Sequence, residues 1–246
     1  MTEQSPIPSP DFSSSPPKLS PDNHNYPRHL TFLELLAVFV VGGGFLLSGT
    51  QTENPFLILM SIIGSWLLIH FFLKLRQSSW QEFGFHPPQS WPQTLAWAIG
   101  GTITFHLVIG LVIKPLISGW LGTEPDTSRF DPVRGNLLAL LFVLFVVWTT
   151  AAFGEEMIFR GFFLNRLQEL GAKKPFSLGL AILLSSVFFG LGHSYQGLAG
   201  VILTTIVGLI FCLFYLLSGK NLWVTILIHG LYDTSAFIIL FLNLDR

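Results

Sequence analysis

The sequence predicts an all-α fold, a polytopic bundle of about seven transmembrane helices with eight also compatible. Three observations carry this. Half of the 246 residues are hydrophobic and 11% are charged, with a mean hydropathy of +0.60, whereas soluble domains carry about 25% charged residues. Seven long apolar segments can be marked, at 30–47, 55–73, 92–113, 136–154, 175–192, 195–218 and 221–244, each near the ~20 residues a helix needs to cross a bilayer. Those segments hold only two charged side chains, Glu34 and Asp233, although the chain has 13 basic and 14 acidic residues. This excludes a soluble enzyme, a nucleic-acid binder and a disulfide scaffold. The one cysteine, Cys212, lies inside an apolar segment and reads as a small core residue.

The elements follow in chain order. Residues 1–28 contain seven of the 15 prolines and six serines. Such a segment buries too little apolar surface to offset its ordering entropy, so it is expected to be a disordered cytoplasmic tail. It lacks the basic start, apolar run and small-residue cleavage site of a signal peptide. The transmembrane domain is expected from 29 to 246, its first run retained as an anchor. Glu34, near the start of that run, is expected to pair with Arg28 or to snorkel. Residues 74–91 carry charges, Trp80, Trp91 and Pro87-Pro88, and read as an interfacial loop. His70 and His106 have no acidic partner at helical spacing and read as structural or interfacial. Near 155–170, Met157, Ile158, Phe162, Phe163 and Leu167 recur at helical spacing between charges. That predicts an amphipathic helix, either continuing the fourth span or lying at the membrane surface. Gly171 can end it and Pro175 can open the next helix.

Lysine and arginine positions suggest an orientation. With seven spans, nine fall on the N-terminal side (Lys18, Arg28, Lys74, Arg76, Arg160, Arg166, Lys173, Lys174, Lys220) and four on the other (Lys114, Arg129, Arg134, Arg246). The N-terminus of this multi-pass membrane protein is therefore expected to be cytoplasmic.

Ionisable groups within apolar segments are costly and mark candidate sites. Glu155 and Glu156 precede Arg160. On a helix Glu156 faces Arg160 four residues on, while Glu155 points about 100° away. Glu155 could thus stay unpaired and, if desolvated, serve as a base; the plain alternative is a surface ion pair. Phe189 and His193 are also four apart, so the phenyl ring could shield the imidazole, with Gly190 and Gly192 admitting a neighbouring helix. His229 and Asp233 share a face of the last segment, where Asp233 could orient the imidazole. For both histidines the plain alternative is a polar contact between helices. Together these groups suffice for a general base, a water-binding imidazole and an oxyanion partner. No G-x-S-x-G elbow and no H-E-x-x-H motif is present, so activated-water hydrolysis fits better than a covalent nucleophile.

The ordered set EExxxR, FxxxH and HxxxD, spread over about 136–240, resembles the CAAX protease and bacteriocin-processing family, also called the type II CAAX prenyl endopeptidase family. The resemblance implies an intramembrane endopeptidase that cleaves a peptide or protein substrate, lipidated in some members, inside the bilayer near the cytoplasmic face. By that resemblance Glu155 and His193 would activate water, His229 and Asp233 would stabilise the oxyanion, and Glu156 and Arg160 would order the site. Asp233 stands where the prenyl-protein proteases have asparagine. An ionised aspartate cannot donate to an oxyanion, so Asp233 would be protonated or would orient His229. A divalent metal such as zinc is left open: Glu155, His193 and His229 are suitable donors, and the same residues can act on water without one. Two other classes use the same groups, namely a transporter or channel with an intramembrane Glu/His/Asp relay and a non-catalytic scaffold or immunity protein.

One expectation is internally awkward. Seven simple spans put Glu155 at the cytoplasmic end of the fourth and His193 at the outer end of the fifth, roughly 25 Å apart.

Overall fold

In the computed structural model, which describes residues 26–52, 54–171 and 174–244, every regular element is helical. The expected disordered tail lies almost entirely outside the described residues. Seven helices follow one another: α1 (Arg28–Gln51), α2 (Pro55–Leu75), α3 (Trp91–Leu121), α4 (Leu137–Leu170), α5 (Ser177–Leu191), α6 (Gly197–Leu217) and α7 (Leu222–Phe241). The molecule is a multi-pass integral membrane protein: six helices are long and apolar enough to cross a bilayer, and α5 is a shorter apolar one. Helix starts are set by short polar residues whose side chains take otherwise orphaned N–H groups. Asn54 accepts from the N–H of Phe56, Asn136 from Ala139 and Asn221 from Trp223. The 74–91 connection contains a 3₁₀ turn, Trp80–Phe83.

The sequence-derived boundaries fail in one place. The fourth segment does not stop at Gly154. Helix α4 runs unbroken for 34 residues, about 51 Å at 1.5 Å per residue. The amphipathic stretch is thus the second half of this helix rather than a surface helix. Two wide π-type turns, Val147–Glu155 and Met157–Phe163, meet at Glu156; such turns shift side-chain phase and recur at functional sites.

This length also removes the 25 Å separation. Helix α5 turns back along the second half of α4. Phe159 lies against Ser185 (hydroxyl to carbonyl, 3.1 Å) and Phe189 (ring centroids 5.2 Å), and Phe163 lies against Phe188 (5.9 Å). The hairpin arms from Glu155 to Leu170 and from Ser177 to His193 are nearly equal, so His193 returns to the level of Glu155. Glu155 sits near the middle of a long helix, not at the cytoplasmic end of a span.

Small residues let α5 and α6 touch closely. A Cβ on Gly190 would collide with Thr205 and lie 2.7 Å from the Val201 carbonyl, and one on Gly208 would lie 3.1 Å from Ser186.

One end of the bundle is tied by a buried charge cluster. Glu34, only 4% exposed, pairs with Arg76 (2.7 Å) rather than with Arg28. Arg76 also reaches Glu169 (2.8 Å) and donates to Thr31 (2.7 Å), and its guanidinium stacks 3.6 Å above the Tyr26 ring. Glu169 in turn pairs with Arg166 at 2.8 Å. Two acids and two bases from α1, α4 and the end of α2 thus neutralise one another, which burial demands. Both possible partners were in the sequence. Arg76, at the end of the antiparallel neighbour α2, sits beside Glu34, whereas Arg28 is exposed.

Candidate active site

The site forms where the middle of α4 meets the end of α5, the middle of α6 and the middle of α7. Glu156 is fully buried and its Oε1 takes two donors, Arg160 Nη1 at 2.8 Å and His229 Nδ1 at 3.0 Å. Arg160, 1% exposed, donates its second amino group to the Gly208 carbonyl at 3.3 Å. Its guanidinium lies between the rings of Phe189 (4.4 Å) and Phe211 (4.7 Å). Cation–π contact and a charge-assisted bond together compensate a buried arginine. Phe211 also lies 4.9 Å from the His229 ring.

His229 is engaged on both sides. Opposite Glu156, its Nε2 lies 3.5 Å from Asp233 Oδ2, an ion-pair distance but a loose hydrogen bond. Asp233 is partly exposed. The geometry therefore matches an aspartate that steers His229.

His193 sits just past α5, half-buried, with Nδ1 3.0 Å from the Phe189 carbonyl. A carbonyl only accepts, so Nδ1 must carry the proton, which leaves Nε2 with a free lone pair. Phe189 covers the ring at 5.0 Å, as the four-residue spacing suggests.

Glu155 differs from every other acid in the core. It is half-buried; among the described residues it makes no hydrogen bond or ion pair, and its Oε2 is a buried oxygen without a partner. His193, His229, Asp233 and Glu156 all lie in its neighbourhood. The structure thus brings all six sequence-derived residues, Glu155, Glu156, Arg160, His193, His229 and Asp233, into one neighbourhood.

The metal candidates do not fit so well. Zinc needs three or four protein donors converging with free lone pairs. Among the described residues no three His, Cys, Asp or Glu side chains are so grouped, and both nitrogens of His229 face carboxylates. The donor set Glu155, His193 and His229 is not supported as a zinc site.

Several neighbours escape a sequence reading. Trp148, on the first π-type turn of α4, donates to Thr234 of α7 at 3.0 Å, and its ring lies where a Cβ on Gly230 would be. This pins α7 against α4 at the level where His229 meets Glu156. His106 is indeed structural, bonded to Ser235 at 2.8 Å. Tyr195 lies two residues past His193, their rings 5.9 Å apart. Its position beside a candidate histidine is the one signal that could have flagged it.

Residues 137–235 match the model of the family described as type II CAAX prenyl endopeptidase Rce1-like. The similarity covers 99 of the 246 residues. It runs from the start of α4 to the middle of α7 and includes every residue of the cluster; α1, α2 and α3 lie outside it. No curated protein and no solved structure matches the chain.

Proposed function

We propose that the protein is an intramembrane endopeptidase that hydrolyses a peptide bond with water held between Glu155 and His193. The observation that carries this is the pairing of an unpartnered carboxylate, Glu155, with an imidazole whose one free lone pair is fixed by the Phe189 carbonyl. A water that donates one hydrogen to each of these acceptors keeps its own lone pairs for attack on a carbonyl carbon. As the C–O bond forms, Glu155 takes the water's proton and later delivers it to the departing amine nitrogen. The carbonyl oxygen becomes an oxyanion. His229 is the donor available to it, because its Nε2 is only loosely held by Asp233 at 3.5 Å. Asp233 acts by steering that imidazole, which answers its departure from asparagine. Glu156 and Arg160 do not touch substrate in this scheme; they hold His229 from behind.

Peptide-product mass spectrometry on membranes carrying wild type, Glu155→Ala or His193→Ala tests the reading. Wild type is expected to yield a discrete cleavage that both variants lose while still accumulating in the membrane. Normal cleavage by either variant would reject it. Substrate-dependent ion flux without proteolysis would point to a transporter, and loss of protein instead of activity in Glu155→Ala to a scaffold.

A further inference from the structure

Between Glu156 and the buried charge cluster at Arg166 and Glu169, helix α4 changes pitch. The wide turn Met157–Phe163 closes with the Leu164 N–H on the Phe159 carbonyl, five residues back, and ordinary α-helix resumes over Leu164–Leu170. A return from five-residue to four-residue spacing leaves one carbonyl without an N–H, and a buried carbonyl needs a donor from elsewhere. The side-chain amide of Asn165 stands at that step. Its Nδ2 donates to the Arg160 carbonyl at 2.9 Å and to the Gly161 carbonyl at 2.7 Å. Asn165 thus satisfies the wide turn with a side chain, where a regular helix would use its own backbone.

The amide has one orientation. Lysine only donates, and Lys220 Nζ lies 2.8 Å from Asn165 Oδ1, so the oxygen faces Lys220 and the nitrogen faces the carbonyls. Tyr215, fully buried, completes the cradle: its hydroxyl accepts from Nδ2 at 3.1 Å and donates to the Phe83 carbonyl at 2.8 Å. Lys220 is itself held in place. Its φ of 64° lies in the left-handed region, uncommon for a lysine, and such a conformation persists where its surroundings impose it. Its N–H donates to the Tyr215 carbonyl at 2.7 Å, and its own carbonyl packs against Gly84, where a Cβ would collide with it. The Leu222 N–H then bonds the Gly84 carbonyl at 3.2 Å. The α6–α7 turn, the 74–91 connection and α4 converge on one amide.

What this amide governs is rotation of the helix. Arg166 and Glu169 fix the end of α4 to Glu34 and Arg76, whereas Glu156 and Arg160 have to meet His229 on α7 and Gly208 on α6. The wide turn between them absorbs one extra residue, about 100° of phase. Both sets of contacts can form on one helix only while that turn stays wide. Arg160 ties it directly to the site: Asn165 holds its carbonyl, and its guanidinium holds Glu156 at 2.8 Å. Resting on the protease reading, we propose that Asn165, oriented by Lys220, is a positioning residue that keeps the Met157–Phe163 turn wide and so sets the angle at which Glu155 and Glu156 face His193 and His229. Both residues act through the backbone of α4 rather than on the substrate.

The test uses the full-length protein in detergent and a peptide that the mass-spectrometric assay shows wild type to cleave. Cleavage is resolved into kcat and KM. Histidine ring ¹⁵N spectra, with His229 assigned by its loss in His229→Gln, follow the Glu156–His229 bond without turnover. Asn165→Leu, similar in size and without hydrogen bonds, should lower kcat about a hundredfold with KM little changed, and should move the His229 Nδ1 resonance. Asn165→Asp keeps Lys220 as a partner but turns only acceptors toward two carbonyls, so it should lose as much. Lys220→Met should lower kcat about fivefold by freeing the amide to turn, whereas Lys220→Arg should keep wild-type kcat; this pair decides if Asn165→Leu does not accumulate. Thr31→Val, which removes the bond from Arg76 at the other end of the helix contacts, should lower the melting temperature and leave kcat and the His229 resonance as in wild type. Full kcat in Asn165→Leu or Asn165→Asp, or an unmoved His229 resonance in a variant that only melts lower, overturns the proposal. Absence of cleavage by wild type overturns the protease reading instead, and the His229 resonance alone then decides whether Asn165 positions the site.

Discussion

Helix α4 carries two buried charge clusters, and they differ in one respect. At its end, Arg166 and Glu169 close a cluster with Glu34 and Arg76 in which each acid lies within 3 Å of an arginine nitrogen. At its middle, Glu155, Glu156 and Asp233 share one arginine and two histidines, and Glu155 has no ion pair among the described residues. A cluster in which every charge faces a fixed opposite charge holds helices in register. An open cluster with an unpartnered carboxylate and titratable imidazoles can take a water and move a proton. Burial alone does not distinguish the two; the count of partners does.

Breaking each cluster should therefore give opposite results. Glu155→Gln is expected to lower kcat about a thousandfold, within the range a general base supplies, while the melting temperature in detergent stays at or above that of wild type. A variant that melts much lower would place Glu155 among the structural charges. Arg76→Met should do the reverse. Removing one partner of a buried pair costs about 3–5 kcal/mol, so the protein should melt well below wild type or fail to accumulate, whereas the fraction that folds should retain wild-type kcat.

A smaller effect should come from the contact between α4 and α7. A Cβ on Gly230 would lie 2.5 Å from the Trp148 ring, so Gly230→Ala should cost about 1–3 kcal/mol by overpacking. It should also lower kcat more than it raises KM, since it displaces His229 from Glu156. Trp148→Phe, which only removes the 3.0 Å bond to Thr234, should cost about 1 kcal/mol. Equal stability of Gly230→Ala and wild type would show that the tryptophan is free to move.

Orientation sharpens the comparison further. Of the nine basic residues that favour a cytoplasmic N-terminus, Arg160, Arg76 and Arg166 prove to be buried and paired. The bias falls to six against four. The closed cluster lies at the end where α1 begins, and a cavity beside Tyr195 lies at the end where α1 finishes. The remaining bias favours a cytoplasmic N-terminus. A cysteine placed at exposed Ser128 should then react with an impermeant reagent only from outside intact cells. Labelling from the cytoplasmic side alone would invert the molecule and return the cavity to the cytoplasm. The smallest expected effect is that of a strong zinc chelator, which should leave cleavage unchanged; its loss and recovery on adding zinc would require the donor groups to rearrange.

Much of this was legible before any coordinates. Hydropathy and charge exclusion depend only on composition along the chain, so the helical class, the membrane setting and the approximate segments follow from sequence. The i,i+4 spacings depend only on helix geometry, so the Glu156–Arg160 and His229–Asp233 pairs and the freedom of Glu155 follow as well. What tertiary structure decided concerns partners remote in sequence. That Glu34 meets Arg76, that His229 reaches back to Glu156, and that His193 returns to the level of Glu155 all depend on how far α4 continues and where α5 turns. Local apolarity says that a segment is buried in lipid or protein. It does not say where a helix with a polar face stops, because the groups that solvate that face come from other helices.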